Sequence, residues 1–594
     1  MTDAPSSEDA SPRLVWTEDG SPRSGRFGDV YFSRDDGLAE TRAVFLEGCG
    51  LPGAWEGRDR FTVAELGFGT GLNIVALLDL WRRRRPDGGR LHVFTIEGYP
   101  LSREEAARAL DAWPELASAA RPLLDAWPEG APGFHRLDLP SLGATIDLAV
   151  GDARWALEQW SGSADAWFLD GFSPALNPGM WSPEVLGLIA RRSAPGARLA
   201  TFTVAGAVRR GLAECGFAVE KRPGHGRKRE RLEARLPGAE PCVPSPRVAV
   251  IGAGVAGASV ARALFEAGAQ VTVIEAEQPG AGGSGFPAAL VTPRLDAGDA
   301  LIAGFHAQAL ERARDLYRRL PHAVIAQGVL QLEQAPRDAL RFDKVAAQPI
   351  WPAGAMRRLS PSETAARLGE ETAGGGLLMA GALALKPSTV LEAWLQGATR
   401  LDARVGGLAA RDGGWMVLDE TGAPLLTADA VVLTTGWGAA ALRPELALSP
   451  VAGQADWVSG PTTAPAAWGG YAVPMGDGLL FGATHDRGAV DRTPDDAASI
   501  RNSRTLAAAL PRLASAAAAA PERRRRKAVR AVTPDRLPLC GALEPGLFIL
   551  GGLGSRGFCV APLLGEHLAA LITGSPSPLP RDAAGRLRPT RFTD

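Results

Sequence analysis

A glycine-rich loop around residue 70 has the residue types and spacing that suit nucleotide binding. Glu65, Gly67, Gly69 and Gly71 form an E-x-G-x-G-x-G pattern between the apolar run FTVAEL and the helical stretch NIVALLDLWRRRR. Glycines at this spacing let the backbone turn sharply and approach a ligand closely. The pattern therefore predicts a ligand site where a strand passes into a helix. The alternative is a tight strand–helix turn that binds nothing.

Two further acidic residues follow apolar runs and would complete such a site. Glu97 ends the run LHVFTIE, and Asp152 follows the run ATIDLAVG. A carboxylate at the first position can accept hydrogen bonds from ribose hydroxyls, and Asp152 is placed to contact an adenine ring. With the glycine loop, this set resembles the cofactor site of class I methyltransferases, which use S-adenosyl-L-methionine.

Asp170 is the candidate catalytic residue of this half of the chain. It ends the run DAWFL and begins the segment DGFSPALNPGMW, so it lies at the carboxyl edge of the predicted sheet. Methyl transfer to an amine needs a neutral nitrogen lone pair, and a carboxylate can hold that amine and accept its proton. The alternative is that Asp170 caps the next turn. Asn177 and Trp181 suit substrate contact or loop packing about equally.

A second glycine loop begins after residue 250. Gly252, Gly254 and Gly257 give a full G-x-G-x-x-G between the strand-like RVAV and the helical SVARALFEAG, and the following run QVTVIE ends at Glu275. This order predicts a dinucleotide with its pyrophosphate at the helix N-terminus and its adenosine ribose on the carboxylate. The motif alone leaves FAD and NAD open.

Three later segments favour FAD. The small-residue segment AEQPGAGGSGFPAALVTP after Glu275 is typical of a second pyrophosphate contact, and VVLTTGWG turns at Gly436. The C-terminal run LFILGGLGSRGFCV supplies Gly552, Gly554, Ser555 and Gly557. A helix predicted from Pro562 to Thr573 would place its positive N-terminus near the isoalloxazine and stabilise a reduced anionic flavin.

The elements that must position these residues predict two α/β domains. In the first, strands alternate with helices, which indicates a Rossmann-like, doubly wound parallel sheet. Four prolines in LPGAEPCVPSPR mark a linker. We therefore expect a disordered tail at residues 1–12, a methyltransferase domain at 13–235, a linker at 236–246 and an FAD-dependent domain at 247–594.

The second domain resembles the D-amino-acid oxidase and glycine oxidase group on its glycine loop and its C-terminal glycine turn. That resemblance implies an α+β substrate domain, mostly antiparallel, inserted between about residues 305 and 530.

Motifs in both halves resemble one family, the bifunctional tRNA 5-methylaminomethyl-2-thiouridine biosynthesis proteins. The motifs are LGFGTGLN, DGFSPALNPGMW, PGHGRKRERLEA, TPDRLPLCG and GGLGSRGFCVAPLLGE. The resemblance implies that the FAD half removes the carboxymethyl group from 5-carboxymethylaminomethyluridine. It also implies that the other half methylates the resulting 5-aminomethyluridine, with Asp170 as its catalytic residue. Arg556 is the first candidate, and Arg536 the second, for the cation that binds the carboxylate of the 5-carboxymethylaminomethyl group.

The predicted substrate, a wobble uridine in a tRNA anticodon loop, requires basic and aromatic contacts. Net charge is −2, so phosphate contact would need local patches. Basic clusters occur at residues 82–85, at 221–229 and at 523–527 with Arg530. The first suits a solvated helix face, whereas we expect the third to contact RNA. Phe172 and Trp181 are candidates for stacking on a splayed base.

The cysteines and the N-terminus favour a protein of the reducing cytoplasm without a membrane segment or a metal site. No obligate protein partner is evident from the sequence, and a monomer is the default expectation. The five cysteines are scattered and include no C-x-x-C pair, and the N-terminus MTDAPSSEDASPR is acidic and polar. Two other functions stay open at this point. One is a flavin amine oxidase for a free small molecule fused to a small-molecule methyltransferase. The other is a nucleotide-binding redox sensor without turnover.

Overall fold

The computed structural model describes residues 13–18, 20–32, 36–226, 229–239, 245–371 and 374–592. The predicted tail, residues 1–12, lies outside the described residues, as do Arg227, Lys228 and Cys242. Contacts within the chain divide it into two compact units. The first comprises residues 1–243 and 576–581, and the second comprises residues 244–575 and 582–594.

The described part of the first unit alternates strands with helices. Its strands are β1 (Leu14–Trp16), β2 (Pro22–Ser24), β3 (Arg60–Leu66), β4 (Arg90–Glu97), β5 (Gly133–Leu139), β6 (Ala144–Val150), β7 (Ala164–Leu169), β8 (Ser193–Thr201), β9 (Ala218–Pro223) and β10 (Glu230–Arg235). Its helices are α1 (Gly37–Thr41), α2 (Leu72–Arg84), α3 (Arg103–Leu110), α4 (Ala117–Asp125), α5 (Ala153–Gln159), α6 (Pro183–Arg191) and α7 (Gly206–Glu214). A π-helical turn, Arg42–Glu47, and short 3-10 turns, Gly53–Trp55, Pro114–Leu116, Pro140–Leu142 and Pro178–Trp181, complete it.

Eight of these strands form one sheet in the order β5-β6-β4-β3-β7-β8-β10-β9. The central strands from β6 to β8 run parallel, whereas the pairs β5–β6, β8–β10 and β10–β9 are antiparallel. The edges differ from the predicted parallel sheet because short connections join β5 to β6 and β9 to β10, and such connections suit only antiparallel neighbours.

Both faces of this sheet are covered, as a doubly wound fold requires. Phe61 and Val63 of β3 pack into one apolar cluster, and Ala64 and Leu66 pack into the other. Parallel strands buried on both faces carry near-continuous apolar runs, which is why FTVAEL predicted a strand. The register pairs Leu66 with both Ile96 and Leu169, so the segments after β3, β4 and β7 emerge side by side.

The second unit holds the remaining elements. Its strands are β11 (Arg247–Ile251), β12 (Gln270–Glu275), β13 (Ala289–Val291), β14 (Val324–Leu332), β15 (Met356–Leu359), β16 (Gly376–Leu385), β17 (Thr399–Asp402), β18 (Val405–Arg411), β19 (Gly414–Asp419), β20 (Pro424–Ala428), β21 (Ala430–Leu433), β22 (Ser449–Ser459), β23 (Ala466–Ala467), β24 (Tyr471–Pro474), β25 (Gly478–Gly482), β26 (Asp486–Arg487), β27 (Arg523–Val532), β28 (Leu539–Glu544) and β29 (Leu547–Gly551). Its helices are α8 (Val255–Glu266), α9 (Ala300–Arg318), α10 (Pro336–Ala346), α11 (Pro361–Leu368), α12 (Pro387–Leu395), α13 (Ala439–Leu442), α14 (Asp496–Ala509), α15 (Pro511–Ala518), α16 (Gly557–Thr573) and α17 (Arg581–Leu587), with 3-10 turns at Gly436–Gly438 and Pro589–Phe592. Across the described chain, no helix is both long and apolar enough to cross a membrane.

Three sheets organise the second unit. A six-stranded sheet, β17-β12-β11-β21-β29-β28, is parallel except at its β28 edge. A ten-stranded sheet, β13-β16-β14-β23-β24-β25-β22-β26 with β15 on β16 and β27 on β22, is antiparallel except between β14 and β23. Strands β18, β19 and β20 form a small meander.

The chain crosses between the two large sheets more often than the sequence indicated. Strands of the ten-stranded sheet run from Ala289 to Val532, a wider span than the expected 305–530. They are interrupted by residues 399–433, which form the meander and return β17 and β21 to the six-stranded sheet. The substrate subdomain is therefore built from two separate chain segments.

Helix α16 begins at Gly557, five residues before the predicted start at Pro562. We expected Pro562 to open the helix because proline suits a first turn. In the helix interior it lacks the N–H that would reach the Phe558 carbonyl. The hydroxyl of Tyr317, on α9, donates to that carbonyl at 2.8 Å instead, so a neighbouring helix replaces the missing bond.

A buried ion triad joins three helices of the second unit. Arg262 of α8 and Arg312 of α9 each place Nη2 2.6 Å from Oε1 of Glu566 on α16. The three side chains are at most 7% exposed. Since two guanidinium groups share one carboxylate away from water, the triad fixes the relative positions of the three helices.

We expect Glu566→Gln to destabilise the second unit strongly. The change leaves two buried arginines without their shared carboxylate, and breaking a buried ion pair costs about 3–5 kcal/mol. Urea unfolding of the full chain, followed by circular dichroism, measures the effect. Glu266→Gln is the control, because Glu266 pairs with Arg262 from an exposed position and such pairs contribute about 1 kcal/mol or less. Equal losses in both variants would contradict the prediction.

Candidate active sites

Gly67 brings the first glycine loop against the segment that carries Asp170. Its φ is +85°, and a Cβ built on it would lie 3.1 Å from the Gly171 Cα and 3.2 Å from the Asp170 carbonyl oxygen. A larger residue would therefore push the two segments apart. The predicted glycine loop and the predicted catalytic carboxylate thus share one edge of the sheet.

Asn73, in the first turn of α2, holds the Asp170 carboxylate in place. Its Nδ2 donates to Asp170 Oδ2 at 2.7 Å and to Glu65 Oε1 at 3.1 Å. The hydroxyl of Thr41 donates to Asn73 Oδ1 at 2.8 Å and so fixes which way the amide faces. The backbone N–H of Gly171 donates to Asp170 Oδ1 at 2.8 Å. Sequence reasoning missed Asn73, although it is the last letter of the motif LGFGTGLN.

Glu65 lies beneath the glycine loop and not beside it. Its side chain is 0% exposed, and its carboxylate accepts hydrogen bonds from Asn73 and from the Thr95 hydroxyl. Burial raises the pKa of Glu65 well above its usual range, and the nearby Asp170 charge adds to the shift. We predicted a cofactor contact for Glu65, but in this structure it supports the Asn73 amide from inside the fold.

Glu97 and Asp152 occupy the ends of β4 and of the segment after β6. Glu97 accepts hydrogen bonds from the N–H groups of Gly69 and Tyr99, both at 2.8 Å. Burial raises the pKa of its carboxyl group, and those two hydrogen bonds oppose the shift. Asp152 is exposed and caps helix α5 through the N–H groups of Arg154 and Trp155. Both of these hydrogen bonds fall on Asp152 Oδ1, so Oδ2 is the oxygen placed to accept from a further donor.

Trp181 does not present its ring to a substrate. It is 6% exposed, packs in the apolar cluster around Trp160, and donates from Nε1 to the Phe172 carbonyl at 3.0 Å. The predicted stacking role of Trp181 is therefore wrong, because its indole supports the loop from below. Phe172 is half-buried, and Asn177 donates to the Met180 sulfur in an ordinary loop contact.

The second unit contains a cavity of about 1030 Å³ at the carboxyl edge of its six-stranded sheet. Nearly all the residues predicted for the second cofactor line it, namely Gly252, Gly254, Glu275, Gly436, Gly552, Gly554, Ser555 and Gly557, and so does Arg556, which was predicted to bind the substrate carboxylate. The exception is Gly257, whose absent Cβ would lie 1.8 Å from the Gly252 carbonyl oxygen. Gly257 thus allows α8 to start directly behind the turn.

In the second unit, as in the first, a carboxylate at the end of a strand accepts a hydrogen bond from the glycine turn; here the strand is β12 and the turn follows β11. Glu275 Oε2 accepts from the Ala253 N–H at 2.7 Å, and Oε1 accepts from the N–H groups of Ala276 and Glu277. The walls also carry the Thr435 hydroxyl and the Trp468 indole N–H, buried atoms with no partner among the described residues. Polar atoms left in this way suit a polar ligand in the cavity.

Two partly buried arginines line this cavity. Arg530 on β27 donates to the Thr484 carbonyl at 3.3 Å, and Arg556 donates to the carbonyl and hydroxyl of Thr292. Burial lowers the pKa of both guanidinium groups. Tyr471 lies beside Arg530, and burial raises the pKa of its hydroxyl to about 12. Arg536, the second candidate in sequence, is exposed and does not line the cavity.

The basic run at residues 523–527, for which we predicted RNA contact, is partly neutralised by ion pairs. Arg524 and Arg525 pair with Glu522 and Asp496 at the surface, and Lys527 pairs with Asp495. The run is a β-strand, so successive side chains point to opposite faces. In the other two clusters, Arg82 and Arg83 pair with Asp79, Lys221 pairs with Glu230, and Arg222 pairs with Glu220.

Arg526 donates hydrogen bonds to the small-residue loop that follows Glu275. Its Nη2 donates to the carbonyl oxygens of Gly280, Ala281 and Gly282, with the shortest distance 2.6 Å. Arg492 donates to the same Ala281 carbonyl at 2.9 Å and pairs with Glu277. Residues 280–285 of this loop are only glycine, alanine and serine, so they have no long side chains to anchor them. These two arginines, both from the substrate subdomain, therefore hold it against the cavity.

Comparison with known families assigns each unit a chemistry. A family described as S-adenosyl-L-methionine-dependent methyltransferase matches residues 114–237, and one described as FAD dependent oxidoreductase matches residues 247–571. These matches confirm both predicted cofactors and the predicted fold class.

Curated relatives match the chain over almost its whole length. It is 55% identical over 598 residues to the tRNA 5-methylaminomethyl-2-thiouridine biosynthesis bifunctional protein MnmC of Caulobacter sp. (strain K31), covering 98% of each chain. The protein of the same name from Maricaulis maris (strain MCS10) is 42% identical over 588 residues, covering 98% of this chain and 96% of that one.

Two solved structures share the fold of the second unit. Glycine oxidase from Geobacillus kaustophilus matches with a TM-score of 0.51 at 22% identity, over 59% of this chain and 99% of that one. L-proline dehydrogenase from P. horikoshii matches with a TM-score of 0.51 at 19% identity, also over 59% of this chain and 99% of that one.

We expect Arg526→Ala to weaken FAD binding. Hydrogen bonds from a charged group contribute about 1.5–3 kcal/mol, which corresponds to a roughly 10- to 100-fold higher Kd for FAD. Titration of the flavin-stripped full chain with FAD, followed by flavin fluorescence, gives the Kd directly. Arg524→Ala is the matched control on the same strand, because Arg524 is exposed and pairs with Glu522 at the surface. An unchanged Kd in Arg526→Ala would rule out the role of this arginine.

Proposed function

The chain belongs to the family of bifunctional tRNA 5-methylaminomethyl-2-thiouridine biosynthesis proteins, and we propose that its two units carry out successive steps on a tRNA uridine. The FAD unit converts 5-carboxymethylaminomethyl-(2-thio)uridine to 5-aminomethyl-(2-thio)uridine. The methyltransferase unit then makes 5-methylaminomethyl-(2-thio)uridine. The observation that carries this function is full-length identity of 55% to a protein of that name, together with one matched cofactor family in each unit.

The oxidative step removes two carbons from the side chain. Bound FAD would supply the hydride acceptor that oxidises the CH₂ between the nitrogen and the carboxylate to an imine. Water then adds to the imine and the C–N bond breaks, so glyoxylate leaves and the primary amine stays on the uridine. The protein must therefore hold a carboxylate next to the flavin site.

Arg530 and Arg556 are the proposed carboxylate-binding residues. Each is partly buried at the cavity wall, and neither pairs with a carboxylate among the described residues. A buried cation is costly unless an anion joins it, so an anionic ligand at this position is favoured. Tyr471 keeps its proton, since burial raises its pKa to about 12, and can donate a hydrogen bond to the same carboxylate.

The methyl-transfer step uses Asp170 in this proposal. The amine nitrogen attacks the methyl carbon of S-adenosyl-L-methionine, the C–S bond breaks, and a proton leaves the nitrogen. Asp170 holds the amine and accepts that proton. Its carboxylate is already oriented by Asn73 and by the Gly171 N–H, so little reorganisation is needed when the amine arrives.

The remaining features of the proposal concern boundaries and setting. We assign methyl transfer to residues 13–235 and oxidation to residues 247–594, joined by the proline-rich stretch 236–246. In the first site, Gly67, Gly69, Gly71, Glu97 and Asp152 are assigned to the methyl donor. In the second, the assigned residues are the glycines of both turns with Glu275, Gly436 and Ser555. The proposed substrate is the wobble uridine of an anticodon loop, and the enzyme acts as a cytoplasmic monomer.

Nucleoside mass spectrometry of treated tRNA tests the two-step function. With tRNA carrying 5-carboxymethylaminomethyluridine, we expect the 5-aminomethyl product without S-adenosyl-L-methionine and the 5-methylaminomethyl product with it. Asp170→Asn should stop at the 5-aminomethyl product even with the methyl donor, because the carboxylate that accepts the proton is gone. Unchanged tRNA, with a flavin still reduced by a free amine, would overturn the function in favour of a small-molecule oxidase.

Arg530→Gln and Arg556→Gln should each impair the oxidative step alone. Losing one hydrogen bond to a charged group costs about 1.5–3 kcal/mol, so kcat/KM for flavin reduction should fall roughly 10- to 100-fold. Stopped-flow measurement of flavin reduction with the modified tRNA gives this value. Arg411→Gln, an exposed arginine on β18, is the control. If neither cavity variant differs from Arg411→Gln, the carboxylate lies elsewhere.

A further inference from the structure

Four half-buried aromatic rings cluster above the first glycine loop. Phe27 lies 4.8 Å from Phe172 and 5.8 Å from Tyr99 between ring centroids, and Tyr31 lies 5.4 Å from Phe172 in an edge-on contact. Each ring is partly exposed. Phe27 and Tyr31 come from the N-terminal segment, which precedes the residues 114–237 matched by the methyltransferase family.

Residues 26–31, which we call the aromatic strap, contact the three segments that form the first site. Tyr31 rests on the glycine loop, where a Cβ on Gly69 would lie 3.1 Å from its Cδ1. Asp29 Oδ2 accepts from the Ser173 N–H at 3.2 Å, beside the Asp170 segment. The Arg26 guanidinium lies 4.2 Å above the Tyr99 ring, just after Glu97. The strap therefore spans the site from the donor side to the amine side.

Local contacts hold the strap in this position. The Phe27 N–H donates to Ser24 Oγ, and Arg23 donates to the Gly28 carbonyl at 2.7 Å and 3.0 Å. The Tyr31 hydroxyl stays protonated, because burial and the nearby carboxylates of Glu97 and Glu105 raise its pKa. An uncharged aromatic ring thus lies close to a carboxylate that is assigned to the donor ribose.

Methyl transfer changes charge at one particular atom. The donor carries a positive sulfonium sulfur, whereas the product, S-adenosyl-L-homocysteine, has a neutral thioether after the C–S bond breaks. Aromatic faces attract cations and have no comparable attraction for a thioether. A site lined by aromatic rings can therefore distinguish the charged donor from the spent product.

We propose that the aromatic strap, through Phe27 and Tyr31 together with Phe172, recognises the sulfonium cation of the methyl donor. This inference rests on the proposed methyl-transfer function of the Asp170 site. Tyr31 and Phe27 are positioning residues: they hold the donor, and Asp170 handles the proton. The uracil base is a less favoured occupant, because Tyr31 contacts the glycine loop and lies near Glu97, both on the donor side.

The role of the strap is tested by calorimetric titration of the full chain with S-adenosyl-L-methionine and, separately, with S-adenosyl-L-homocysteine, in the absence of tRNA. Tyr31→Leu keeps the bulk and loses the aromatic face, so the Kd for S-adenosyl-L-methionine should rise roughly 3- to 30-fold. The Kd for S-adenosyl-L-homocysteine should change by less than about 2-fold, since no cation is lost from that complex. Phe27→Leu should behave in the same direction, and Tyr31→Phe should bind both nucleotides like the wild type. Val15→Ala, exposed on β1, is the matched control.

Several outcomes would overturn the strap while leaving the proposed function intact. If Tyr31→Leu raised the Kd for S-adenosyl-L-methionine and for S-adenosyl-L-homocysteine equally, the ring would only fill space. If the affinities for the methyl donor and its product were unchanged and the KM for tRNA rose, the rings would contact the uracil base instead. Failure of the wild-type chain to bind the donor or to methylate tRNA would instead contradict the proposed function. Retained FAD content and an unchanged unfolding midpoint show that each variant is folded.

Discussion

Both cofactor sites depend on the same interaction, a carboxylate at the end of the second strand that accepts a hydrogen bond from the glycine turn after the first. Glu97 accepts from the Gly69 N–H at 2.8 Å, and Glu275 accepts from the Ala253 N–H at 2.7 Å. A glycine turn exposes backbone N–H groups that need acceptors, and a buried carboxylate needs donors. Each group satisfies the other, so the turn is held open in the shape that a nucleotide requires before any ligand binds.

This interaction explains why so much could be predicted from sequence. The glycine spacings and the acidic ends of the next strands are local features, separated only by one helix. The parallel register then follows from the fold, and it brings Gly67, Glu97 and Asp170 to one edge because Leu66 pairs with Ile96 and Leu169. The fold class, both cofactors and the family followed from these short motifs. The residues assigned to each site remain a proposal.

Side-chain positions that depend on contacts with residues far away in sequence could not be predicted from the sequence. Trp181 looked available for stacking, yet the apolar cluster behind its loop buries it. Arg526 and Arg530 belong to one charged run, but strand alternation and the pairing of β27 with β22 direct them to the small-residue loop and to the cavity. Pro562 indicated a helix start, whereas Tyr317, far away in sequence, supplies the donor that lets the helix begin earlier.

The positions of the strands along the chain also determine when each sheet can form during synthesis on the ribosome. Every strand of the first sheet lies between residues 60 and 235, so that sheet is complete before the second begins. The six-stranded sheet needs both β11 and β29, which roughly 300 residues separate, or about 15–60 s of synthesis at 5–20 residues per second. During that interval, strands of the flavin unit that are already synthesised have edges without their partners. Because an unpaired strand edge can pair with another chain, we expect this unit to be more prone to aggregation during synthesis than the first sheet.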